Sequence, residues 1–171
     1  MRPVCRPIAA IAATALLGLA ADAGAAMRTI DVPGVAGRSV EIAAAGRLAD
    51  GGAIVAATVT PRGRQRPRIV VMRLRHDGLI DRSFGDAGVV TAQLERGDGR
   101  GGSRSTSVAV DAAGGRSWIG AAIGTGGSGA VLALDAHGRR ARGFGSQAVL
   151  RLGDAGAPSA LAFGGGRLAI A

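Results

Sequence analysis

Lysine, asparagine and tyrosine are absent from this chain of 171 residues, and cysteine occurs once, at Cys5. Without lysine there is no Walker P-loop, no Schiff-base chemistry and no serine–lysine dyad. Without asparagine there is no acceptor for an N-linked glycan. A single cysteine cannot close an internal disulfide or build a cysteine-rich zinc site. Large rings are equally scarce, with one Trp and three Phe. Two histidines, His76 and His137, and two glutamates, Glu41 and Glu95, complete a poor catalytic inventory. No cofactor is expected from it.

What is present is Gly (30 residues) and Ala (36), with arginine supplying all 21 basic side chains against 12 acidic ones. Residues 1–25 read as a secretory signal peptide. Arg2 and Arg6 form a positive start, Ile8 to Ala21 is an uncharged apolar run, and Ala23-Gly24-Ala25 offers small residues for cleavage near Ala25/Ala26. A spanning helix needs about 20 apolar residues, and Asp22 ends this run well before that. Cys5 precedes the apolar run, which excludes a lipoprotein signal, and the leader has no twin-arginine pair. Export to the periplasm or the cell exterior follows, with no transmembrane segment expected after cleavage.

The remaining residues 26–171 read as one β-repeat domain. Short apolar runs such as Ala53 to Val59, Ile69 to Leu74, Val89 to Leu94, Trp118 to Ile123 and Ala130 to Leu134 are separated by Gly-Gly, Asp-Gly and His-Gly pairs. Runs of that length and composition between turn signals are strands in hairpins, and the expected class is all-β. Sliding residues 69–91 onto 129–151 superposes Val71/Val131, Leu74/Leu134, Gly78/Gly138, Arg82/Arg142, Phe84/Phe144, Gly85/Gly145 and Val89/Val149. Another strand pair lies upstream of each copy, at Arg47 to Thr58 and Thr106 to Ile123. A third copy begins near residue 157, where Ser159 to Phe163 echoes Thr106 to Val110, and it stops at Ala171. Units of about 40–95 and 105–152 with a shortened third suggest a truncated or degenerate repeat protein. The strand edge at Leu168 to Ala171 is a hazard for self-association.

The segment Arg73-Leu74-Arg75-His76-Asp77-Gly78-Leu79-Ile80-Asp81-Arg82-Ser83-Phe84-Gly85, followed by Gly88-Val89-Val90-Thr91, resembles the delta-60 repeat of exported and surface bacterial proteins. The second copy departs from that pattern, with His137, Ala141 and Gly143 at the positions of Asp77, Asp81 and Ser83. The resemblance implies antiparallel four-stranded units in a propeller-like arrangement and no particular activity; residues 26–171 have room for about two and a half such units, so a partial propeller-like array is expected. Physically, Asp77 and Gly78 suit a hairpin turn. Gly85 and Gly145 allow a tight strand-to-strand corner, while Phe84 and Phe144 anchor it by burial. Gly138 repeats the turn. These seven positions read as structural.

Candidate chemistry is thin. The two G-x-G-x-x-G stretches, Gly97 to Gly102 and Gly124 to Gly129, run towards strands and not helices, so they lack a phosphate-binding helix N-terminus. Asp77, Asp81 and Asp86 could suit Ca²⁺, but the second copy replaces them with His137, Ala141 and Ser146. No metal site is expected. No G-x-S-x-G elbow occurs, and the ten aspartates fall mostly in turns, so no catalytic residue is assigned. One charged feature stands out: Arg62, Arg64, Arg66 and Arg68, alternating between Pro61 and Pro67. In a strand they would share a face, but Gly63 and Pro67 favour a loop.

The leading expectation is an exported, non-enzymatic β-repeat protein acting as a structural or interaction module towards a protein or an anionic cell-surface polymer. The alternative is a polyanion-binding surface protein using Arg62, Arg64, Arg66 and Arg68, with nucleic acid not expected because stacking aromatics are missing nearby. A third reading is a small hydrolase on a propeller-like scaffold.

Overall fold

The computed structural model describes residues 38–61, 66–94, 101–126, 128–153 and 155–171. The signal-peptide reading, Arg62 and Arg64 fall outside these residues. The described chain is all-β. Strands β1 (Ser39–Arg47), β2 (Ala53–Thr60), β3 (Arg68–Leu74) and β4 (Val89–Ala92) form one antiparallel meander, and β5 (Ser103–Val110), β6 (Ser117–Ile123), β7 (Ser128–Leu134) and β8 (Val149–Gly153) form a second. A hairpin of β9 (Leu161–Gly164) and β10 (Arg167–Ile170) follows. The sheets are open and stack beside one another, giving a partial propeller-like array.

The sixty-residue repeat holds at the level of backbone bonds. The bridge Leu74↔Ile80 recurs as Leu134↔Arg140, and Asp86↔Val89 recurs as Ser146↔Val149. The first strand of each meander carries a register shift at the same place, between Ile42 and Ala44 and between Ser105 and Ser107. Such bulges tighten the local twist that lets a strand turn towards its neighbour. The first strand itself begins well upstream of Arg47, at Ser39. Its run of Ala and Gly with Glu41 has little of the Val/Ile signal that marks a strand in sequence, so the sequence pattern marks this strand pair only from Arg47 to Thr58.

The central strands are apolar on both faces because both are covered. In the first unit, Ile54, Ala56, Ile69 and Val71 point to one face, which we call the front, and Val55, Val59, Val70 and Met72 point to the other, the back. The front of unit one packs on Ile119, Ala121, Ile123, Ala130, Leu132 and Leu134 of unit two, forming the main core. Strand pairing puts Ile119 and Leu132 at the positions of Val55 and Met72, so these residues are the back of unit two. The front of unit two, with Trp118, Val131 and Ala133, receives Leu161, Phe163 and Leu168 from the hairpin. The same front-to-back contact is thus used twice. Burying an aliphatic side chain stabilises by roughly 1.5–3 kcal/mol, and this stacking takes the place of disulfides.

Polar ties reinforce the stack. The Ala49 amide donates to the Ala112 carbonyl at 3.1 Å, and the Ser103 amide to the Pro67 carbonyl at 2.9 Å, both between units one and two. The Thr106 hydroxyl donates to the Pro158 carbonyl at 2.6 Å, holding the connection to the hairpin against β5. Among the described residues no helix is long and apolar enough to cross a membrane.

Candidate functional site

The connection from β7 to β8 shows how local sequence builds a shaped corner. Asp135 starts it, its carboxylate accepting the amides of His137 and Arg139, both at 2.9 Å. Gly138 adopts a left-handed φ of 76°, and its amide closes on the Asp135 carbonyl at 3.0 Å. A Cβ on Gly138 would lie 2.8 Å from the backbone nitrogen of Gly85, so this turn needs glycine for close approach as well as for its φ. At that contact the Gly85 amide donates to the His137 carbonyl at 2.8 Å. The corner glycine of unit one is therefore bonded to the turn of unit two, and two repeat-motif positions, Gly85 and Gly138, meet at one seam.

The remaining motif residues take structural places too. Phe84 is fully buried in the seam, and Phe144 packs, half-buried, against the apolar cluster of unit two that Leu161 and Phe163 also cover. Gly145 has φ 52°, and a side chain there would run into the Val89 counterpart of its own corner, the Val149 carbonyl. Gly78, at φ 78°, closes the Asp77 turn. The Asp77 carboxylate accepts the Leu79 amide at 3.0 Å and pairs with Arg75 at 2.6 Å, and the first of these bonds contributes most to holding its pKa below the usual value. Asp81 accepts the Ser83 hydroxyl, which lowers its pKa most, then the Ser83 amide, and it also faces Arg73 at 3.2 Å. Asp50 is lowered chiefly by the Gly52 amide and then by Arg73, 2.9 Å away. Arg73 also donates to the Ala136 carbonyl of unit two at 3.1 Å.

The other sequence candidates scatter. His76 and His137 are exposed at turn tips. Among the described residues no three His, Cys, Asp or Glu side chains come together to hold a metal ion. Arg68 begins β3 and is half-buried, while Arg66 is exposed in the connection that precedes it. The alternation of Arg62, Arg64, Arg66 and Arg68 therefore does not lie within a described strand.

A cleft of about 400 Å³ opens where the end of β4 meets the corner and β8 of unit two. Gln93 and Leu94 line it from unit one; Arg140, Gly145, Ser146, Gln147, Val149, Leu150 and Arg151 line it from unit two. Its described lining holds two guanidinium groups and no carboxylate. Arg140 is held by a 2.9 Å bond to the Gln147 carbonyl. Gln147 has φ 52° and Ala148 has φ 64°, two successive non-glycine residues in the left-handed region. Unit one has Ala87 and Gly88 there, with Ile80 in place of Arg140 and Thr91 in place of Arg151. The repeat itself carried this signal: at sixty residues' offset, three positions turn from apolar or small to Arg or Gln. No family model matches the chain, and no curated protein and no solved structure matches it.

Proposed function

We propose that this chain is an exported, non-catalytic β-repeat protein of delta-60 type that serves as an interaction module in the periplasm or outside the cell. The observation that carries this reading is the work done by its acidic side chains. Asp50, Asp77, Asp81, Asp111 and Asp135 each accept a backbone amide within their own turn. These carboxylates are engaged in shaping turns, which is what a repeat scaffold requires of them. A scaffold of stacked units presents its corners and outer strands to partners.

The test is to express the whole coding sequence in a bacterial host, fractionate the cells and sequence the N-terminus of the recovered protein. A mature form starting at Ala26 outside the cytoplasm is expected; a cytoplasmic product retaining residues 1–25 would overturn export. Turnover of an ester or glycoside panel by the purified protein would overturn the non-catalytic part and promote the hydrolase.

A second reading has one observation in its favour: Arg66 is exposed beside Pro67, whose carbonyl is fixed by the Ser103 amide. The arginine-rich connection is thus anchored at one end to unit two, and it would offer its charge to a polyanion. Retention on heparin that collapses when Arg62, Arg64, Arg66 and Arg68 are changed to Ser is the outcome this reading requires.

A further inference from the structure

We propose that one end of the array, formed by the turn at residues 77–79 of unit one and the turn at 135–142 of unit two, docks on an anionic lipid bilayer. Leu79 enters the interface, and Arg139, Arg140 and Arg142 meet the headgroup phosphates. The inference rests on reading the chain as an exported interaction module. Its first support is the difference between the two copies. From residue 75 to 86 unit one carries two arginines and three aspartates, whereas from 135 to 146 unit two carries three arginines and one aspartate. Leu79 and Ile80 give way to Arg139 and Arg140, while Asp77, Asp81 and Asp86 give way to His137, Ala141 and Ser146.

The second support is how each unit treats its charges. In unit one the guanidinium groups are neutralised in place: Arg73 pairs with Asp50 and Asp81, and Arg75 pairs with Asp77. In unit two Arg139, Arg140 and Arg142 are exposed, and among the described residues none of them forms an ion pair. The carboxylate of that stretch, Asp135, is turned to the amides of His137 and Arg139. Arg140 gives one nitrogen to the Gln147 carbonyl, which holds its guanidinium at the surface. Three neighbouring cations without counter-charges attract a surface of phosphates.

The third support is Leu79, which at 52% is the most exposed large apolar side chain among the described residues. Its amide donates to the Asp77 carboxylate at 3.0 Å and its carbonyl accepts the Arg75 amide at 2.9 Å, so the side chain projects from a held backbone. In the repeat it stands where Arg139 stands in unit two. The two turns are tied at the same end of the strands by the Gly85 amide on the His137 carbonyl and by Arg73 on the Ala136 carbonyl. A leucine tip beside exposed arginines suits a bilayer interface, where acyl chains take one and phosphates the other. A hydrated polysaccharide would leave the leucine in water. Charge alone does not choose between these partners; Leu79 does.

The experiment is sedimentation of the exported protein with vesicles of phosphatidylglycerol mixed with phosphatidylcholine, and with vesicles of phosphatidylcholine alone. Binding to the anionic vesicles about tenfold or more tighter than to the neutral ones is expected. The double variant Arg139→Ser with Arg142→Ser, which leaves the Arg140 bond in place, should lower the partition roughly 30-fold, the scale of two arginines near a charged surface. Leu79→Ser should lower it about tenfold with an unchanged melting temperature. Leu79→Trp should bind as the parent does, and its indole emission should shift to the blue on anionic vesicles, above the constant signal of buried Trp118. The variant with Arg62, Arg64, Arg66 and Arg68 all changed to Ser should keep most of the affinity, because Arg68 begins β3 at the opposite end from the Leu79 turn. No binding, equal binding to both vesicles, or affinity lost in the four-arginine variant and kept in the double variant would overturn the proposal. So would a Leu79→Trp indole that shows no shift; joined to lost heparin retention in the double variant, that result would identify a polysaccharide surface instead. Export and lack of turnover are read without vesicles, so a failed sedimentation leaves the module reading standing.

Discussion

Thr58 of β2 and Ser105 of β5 are joined across the interface between the two units: the Ser105 amide donates to the Thr58 hydroxyl at 3.0 Å, and the two hydroxyl oxygens lie 3.2 Å apart. Both residues are buried. Within the buried part of the interface this pair helps to fix the lateral register of one sheet on the next, because a shift by one residue would strand both groups without water.

Thr58→Val should therefore cost about 1–3 kcal/mol, the usual penalty for leaving a buried donor unpaired, although its shape is conserved. Thr58→Ser should keep most of the stability. Urea unfolding of both variants checks this; equal midpoints for Val and parent would show that the pair contributes nothing.

The two corner phenylalanines occupy equivalent places in the repeat but different surroundings. Phe84 is fully buried between units one and two, whereas Phe144 is only half-buried against the unit-two cluster that the terminal hairpin also covers. Phe84→Ala should lose about 3–5 kcal/mol, and Phe144→Ala clearly less. Thermal melts would rank them, and an inverted order would mean that the hairpin stabilises the array more than the first seam does.

Relief of backbone strain gives a gain. Ala87 has φ 51° and is exposed, so its methyl packs against little. Ala87→Gly should raise stability by up to about 1 kcal/mol, the left-handed penalty less the larger unfolded-state entropy of glycine. Gln147→Gly, relieving the equivalent φ of 52°, should gain similarly. A melting temperature that drops in both variants would contradict the strain argument.

Acid sensitivity follows from the turn carboxylates. Asp50, Asp77 and Asp81 all have folded-state pKa values lowered, chiefly by hydrogen bonds from Gly52, Leu79 and Ser83. A lowered folded pKa means that the contribution is complete above the unfolded value of about 4 and is lost as pH falls below it, because the unfolded chain takes up protons first. Unfolding free energy should be flat with respect to these groups from about pH 5 to 7 and should fall below about pH 4. Changing all three to Asn should flatten that fall, as followed by denaturant titration at a series of pH values.

Much of the architecture was legible in the sequence because its signals are local. Val71 and Val131 recur in strands covered on both sides, and Gly85 and Gly145 recur where the backbone needs positive φ. The start of β1 was not legible, since Ala43, Ala44, Ala45 and Gly46 are bland in any pattern and owe their conformation to pairing with β2. The pairing of Thr58 with Ser105 was hidden because nothing short-range links residues 47 positions apart. The cleft lay between these extremes. Its residues come from two units, but Arg140, Gln147 and Arg151 are the positions where the second copy parts from Ile80, Ala87 and Thr91. A search confined to what the copies share passes over what distinguishes them.

The front-to-back contact gives the array a direction. Unit one offers its front to unit two, and unit two offers its own front to the hairpin, so each interface pairs unlike surfaces in the same order. A block of coding sequence spanning one unit, duplicated in frame, would enter this stack with matching surfaces already on both sides. Copy number can thus change without the invention of a new contact, while single corners such as the one carrying Gln147 are free to diverge.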